Sequence, residues 1–95
     1  MIKTPHDLAE ERMELSEQYS KYSGVLADLI KAQAEYFNSH RGDFKSDTAT
    51  DRAFEVTPDG VKLTVVKIKL KSLEKQMASI KTMIDVLTEE AKGLY

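Results

Sequence analysis

The sequence predicts an all-α protein: an antiparallel two-helix hairpin, coiled-coil-like, with a partly helical connection. Three observations carry this. Leu63, Val66, Leu70, Leu73, Met77, Ile80, Ile84, Leu87, Ala91 and Leu94 recur at alternating spacings of three and four. That is the heptad rhythm of a helix packed lengthwise against another helix. Near the other end, Leu8, Leu15, Tyr22, Leu29 and Tyr36 fall seven apart. The two periodic tracts are nearly equal in length and separated by one reversing segment, so they fit side by side.

The first helix is expected over 5–38. Thr4 is placed as its N-cap, Pro5 as its first residue and Asp7 as the acid of a capping box. Tyr19, Val25, Leu26 and Ala32 fill the intermediate seam positions, whereas Glu11, Arg12, Gln18 and Gln33 weaken it. Gly24 inside the helix costs about 1 kcal/mol relative to alanine. The helix is expected to end near Asn38, before His40-Arg41-Gly42.

The connecting segment, 39–57, is rich in Asp, Thr, Ser and Arg, with Phe44 and Phe54 as its large apolar residues. Ser46 or Asp47 is placed as the cap of a short helix through Ala49, Ala53 and Phe54. Helix–helix connections usually take about 2–8 residues, so the excess predicts a segment that packs. Thr57-Pro58-Asp59-Gly60 admits two readings. One is a capped helix start, with Thr57 as N-cap and Pro58 at the first position. The other is a hairpin turn, since Phe54-Glu55-Val56 and Val61 to Val65 flank it with alternating apolar residues. The unbroken register from Leu63 favours a helix over 58–92, with Gly93 as its stop.

At 95 residues, with 41% hydrophobic and 32% charged, the chain is expected to form one small helical domain, 1–95. A core of this size makes homo-oligomerisation into a dimeric or higher bundle a reasonable expectation. No apolar run approaches the roughly 20 residues that cross a bilayer. Met1 to Glu11 lacks the apolar core of a signal peptide. The chain has no cysteine, which excludes disulfides and thiolate zinc sites and fits a reducing cytoplasm.

Two places carry more apolar surface than one seam hides. Ala27, Ile30, Ala34 and Phe37 form a second stripe on the first helix, and Val61, Val65 and Ile68 another on the last. Either the 44–56 segment folds over them or another subunit does. Ile30, Phe37, Val61, Val65 and Ile68 are therefore the expected self-association residues.

Chemistry is sparse. His6 and His40 stand at opposite margins of the first helix and read as solvated. No phosphate-binding glycine loop, nucleophile elbow or metalloprotease motif is present. Asp43, Asp47, Asp51 and Asp59 do not match a calcium loop, and Arg41, Lys45 and Arg52 lie close enough to neutralise them. Arg41-Gly42-Asp43 reads as a helix-ending glycine before a cap. No enzymatic activity, cofactor or metal is expected.

The net charge is −2, yet it is uneven. Residues 61–81 hold Lys62, Lys67, Lys69, Lys71, Lys75 and Lys81 against Glu74 alone. Asp7, Glu10, Glu11, Glu14 and Glu17 crowd the first helix, and Asp85, Glu89 and Glu90 the end of the last. The lysines read first as a solvated helix face, and alternatively as a nucleic-acid-contacting surface of Lys62, Lys67, Lys69, Lys71 and Lys75. No aromatic lies among them to stack on bases.

Residues 42–92 resemble small helical proteins of tailed bacteriophages that carry no assigned function. The resemblance rests on Gly42 to Asp47, Asp51-Arg52-Ala53-Phe54 and Thr57-Pro58-Asp59-Gly60. It continues through Leu73-Glu74-Lys75, Ser79 to Thr82 and Val86-Leu87. It implies a phage or prophage origin, the cytoplasm of a bacterial host and an accessory or host-antagonist role, and it supports helix at 58–70. The expected function is a non-catalytic protein-interaction module whose partner-binding residues are Phe44, Lys45, Asp47, Arg52 and Phe54. The alternative is a nucleic-acid-binding accessory of replication or recombination. No membrane partner is expected.

Overall fold

The computed structural model describes residues 3–93 and is all-helical, with α1 (Pro5–His40), α2 (Asp47–Glu55) and α3 (Pro58–Gly93). Two long helices are joined by a short one, and no strand occurs among the described residues. At Thr57-Pro58-Asp59-Gly60 the favoured capped helix start is observed, and the alternative hairpin turn is not. Leu94, the last residue of the heptad series, lies outside the described residues.

Each helix begins on a side-chain cap. At α1 the Asp7 N–H donates to Thr4 Oγ1 at 3.2 Å and the Thr4 N–H donates to Asp7 Oδ2 at 3.2 Å, a reciprocal box. At α2 Ser46, with φ −154° and ψ 164°, accepts from the Ala49 N–H at 3.1 Å. At α3 Thr57 Oγ1 accepts from the Gly60 N–H at 3.1 Å, and its hydroxyl donates to the Phe54 carbonyl at 2.6 Å. One threonine thus closes α2 and opens α3.

The chain divides into two units, Met1–Lys21 with Leu70–Tyr95, and Tyr22–Lys69. In the first, Leu8 and Leu15 of α1 are buried with Leu70, Leu73 and Ile80 of α3. Met77, Ile84 and Leu87 are half-buried and Ala91 is exposed, so burial fades toward the end of α3. The Tyr19 hydroxyl donates to Glu74 Oε1 at 2.8 Å. That hydrogen bond to a carboxylate, helped by its charge, pushes the phenol's pKa up.

In the second unit Leu29, Phe54, Leu63 and Val66 form the core. Phe54 is 2% exposed and its ring meets Tyr36 at 5.4 Å between centroids, tilted 58°, a favourable edge-on arrangement. Thr50 is fully buried, and its hydroxyl donates to the Ser46 carbonyl at 3.1 Å, so no buried donor is stranded. Gly60 is buried beneath the end of α2. A Cβ there would overlap the Phe54 carbonyl oxygen and lie 2.8 Å from Glu55 C and Cα. Only glycine admits this approach. Gly24, by contrast, has nothing within 4 Å of an added Cβ.

Two predictions follow from these geometries. Gly60→Ala should lose roughly 1–3 kcal/mol or more, because the obstructing atoms are backbone and cannot rotate away. Gly24→Ala should gain about 0.5–1 kcal/mol from helix propensity. Urea unfolding followed by circular dichroism reads both, and equal effects of the two changes would refute the close approach.

Asp7 gives a pH prediction. Its hydrogen bonds from Thr4, backbone first, hold its carboxyl below the usual range. A lowered folded pKa contributes stability above the unfolded value and loses it as pH falls through the folded one. The fall in urea midpoint between about pH 5 and pH 2 should therefore be shallower in Asp7→Asn than in the wild-type chain.

Candidate interaction surface

The residues expected to meet a partner separate in the structure. Phe54 is corrected from a contact residue to a core residue: it fills the space between α1 and the start of α3. Phe44 stays exposed, in the turn between α1 and α2, together with Lys45. Asp47 and Arg52 are exposed on α2. The turn is held by the Asp43 N–H donating to the His40 carbonyl at 2.9 Å, and by His40 Nδ1 against Asp43 Oδ2 at 2.9 Å. Arg41 Nε lies 3.4 Å from Asp47 Oδ1 and its guanidinium sits over the Phe37 ring at 5.7 Å. Asp43 and Asp47 thus take part in surface pairs. Gly42 does not stand in a left-handed conformation, since no positive φ occurs among the described residues; the helix end is closed by Asp43 instead.

An open concavity of about 360 Å³ lies beside α2, lined by Ala32, Tyr36, His40, Phe54, Thr57 and Asp59 among others. Glu35 and Ser39 complete its polar lining. Among the described residues no three His, Asp or Glu side chains are placed to share a metal ion. His6 pairs with Glu10 at 3.1 Å on the surface of α1.

The lysines do not form one patch. Successive helix residues turn by about 100°, so Lys62 and Lys69, seven apart, share a flank of α3. Lys67, Lys71 and Lys75, each four apart, share the opposite flank. Lys69 is half-buried, its ammonium 5.8 Å from the centre of the Tyr22 ring. Lys62, Lys67, Lys71 and Lys75 are exposed.

Between those flanks lies what the fold leaves uncovered. Val61, Val65 and Ile68 are 53, 59 and 63% exposed. They face away from Leu63 and Val66, because their spacing of four and three places them on the other side of the helix. The short helix does not cover them: it packs on Tyr36 and Gly60. Ile30 is exposed too, and Phe37 half-buried. The sequence flagged this surplus by counting apolar residues, but it did not separate Phe54 from Phe44.

Truncation distinguishes the two phenylalanines. Phe54→Ala should cost about 3–5 kcal/mol as a core cavity, whereas Phe44→Ala should leave the unfolding midpoint within about 0.5 kcal/mol of wild type. Comparable losses from both would return Phe54 to the surface. No helix among the described residues is long and apolar enough to cross a membrane. No family model matches the chain, and no curated protein or solved structure does.

Proposed function

We propose that this protein is a non-catalytic protein-interaction module, an antiparallel helical hairpin that self-associates and presents the Phe44 segment to another protein. The observation that carries the proposal is the apolar surface left open after the seam is filled: Phe44, Val61, Val65 and Ile68. Grouped exposed apolar residues mark interaction surfaces more often than scattered ones do. A loop anchored on a rigid scaffold is a usual place for recognition. The phage-like pattern of residues 42–92 supports an accessory or host-factor antagonist working in a bacterial host cell.

The nucleic-acid reading is the competitor; Lys67, Lys71 and Lys75 share one exposed flank for it, while Lys69 is half-buried against Tyr22. Labelled single- and double-stranded DNA titrated at low and moderate salt should show no tight binding. A pull-down from bacterial lysate should retain a protein on the wild-type chain and lose it on Phe44→Ala. Tight DNA binding that weakens steeply with salt and disappears in Lys67→Glu with Lys71→Glu would replace the interaction reading.

A further inference from the structure

Val61, Val65 and Ile68 belong to the Tyr22–Lys69 unit and lie exposed on one face of α3. Thr64 stands beside them, also exposed, four residues before Ile68 and three after Val61. Its hydroxyl donates to the Gly60 carbonyl at 3.2 Å. That proton is spent inside the helix, so the threonine methyl extends the apolar row. From Val61 to Ile68 the row runs about 10 Å along the axis at 1.5 Å per residue, or two turns of helix.

Both edges of the row are positive. Lys62 is exposed on one flank and Lys67 on the other. Lys69, on the Lys62 flank, is half-buried with its ammonium against the Tyr22 ring. No acid occurs along α3 between Asp59 and Glu74. Two copies of this row meeting face to face would set lysine against lysine whether they ran parallel or antiparallel, which costs affinity. An occupant of the row must therefore bring negative charge of its own. A phosphate chain would meet the lysines and leave the valines and Ile68 uncovered. The shape selects further. An extended strand binds through a free sheet edge, and no strand occurs among the described residues. A helix face offers ridges of side chains, against which a second helix packs.

We propose that the Val61–Ile68 face of α3 docks an acidic amphipathic helix of a partner protein. That helix presents apolar residues at spacings of four and three over about two turns, with Asp or Glu on both sides of them. Its apolar residues cover Val61, Val65 and Ile68. Its carboxylates meet Lys62 on one flank and Lys67 on the other. The charge pairs at the edge set orientation and speed encounter, while the apolar contact holds the complex. The proposal rests on the interaction-module reading and states the chemistry of a partner; Ile30 and Phe37 on α1 remain for self-association.

Two labelled synthetic helical peptides test it, followed by fluorescence anisotropy. Both carry leucine at spacings of four and three; one has glutamate on both flanks and the other lysine. The glutamate peptide should bind at least about tenfold more tightly at low salt. Lys62→Glu with Lys67→Glu should invert that preference, a gain that misfolding cannot mimic. Val65→Ser should weaken the glutamate peptide about tenfold, with helix content unchanged by circular dichroism. Equal affinity for the two peptides overturns the proposal, as does a preference that the double substitution leaves in place. A homodimer that Val65→Ser dissociates gives the face to a second copy and overturns it too. So does Val65-dependent binding to vesicles of phosphatidylserine and phosphatidylcholine. A lysate protein still captured through Phe44 in those cases keeps the interaction reading and removes only this docking face. Loss of Phe44-dependent capture with peptide discrimination intact does the reverse.

Discussion

At Gly60 the carbonyl of Phe54 occupies the space where any other residue would carry its Cβ. Much of the second unit follows from that approach. It brings the last turn of α2 onto the first turn of α3, which seats the Phe54 ring against Tyr36. It also places the Phe54 carbonyl within reach of both the Thr57 N–H and the Thr57 hydroxyl. The carbonyl left over at the end of α2 is thereby satisfied by the residue that caps α3. A helix end buried without partners would be costly; here two helix ends answer each other through one side chain.

The seam and the joint divide the work. Along the seam, burial of leucine, valine and isoleucine at heptad spacing supplies the non-directional attraction, about 1.5–3 kcal/mol for each fully buried side chain. At the joint, hydrogen bonds and a missing Cβ supply direction. The seam alone tolerates sliding by a heptad, because its residues are alike. The joint does not, since only Gly60 stands three residues after a threonine cap and accepts a backbone carbonyl against its Cα. Specific placement thus comes from a few polar contacts, while the bulk of the stabilisation comes from the repeated apolar ones.

What remains exposed is as informative as what is buried. A helix that packs on one neighbour needs a single apolar stripe. α3 has a buried stripe and, at its start, an exposed group of Val61, Val65 and Ile68 edged by lysine.

By itself the sequence determined the helices. The three-four rhythm set the register of α3, and Leu63, Val66, Leu70, Leu73 and Ile80 are all buried as that rhythm requires. The caps at Thr4, Ser46 and Thr57 were legible because their chemistry is local: a side-chain oxygen, a nearby N–H and a proline or acid at fixed offset. α1 extends to His40 rather than ending near Asn38, a small difference at an end where no strong stop signal stands. Tertiary structure alone decided which phenylalanine of the connecting segment is core. Phe44 and Phe54 are the same residue type in similar polar surroundings, and no periodicity distinguishes them. The choice is made by Gly60, six residues after Phe54, whose missing Cβ admits the end of α2 and with it Phe54. The same holds for the lysines. Composition counted them together, whereas the helix turn and the packing of α3 on its inner face sent them to two flanks with an apolar row between.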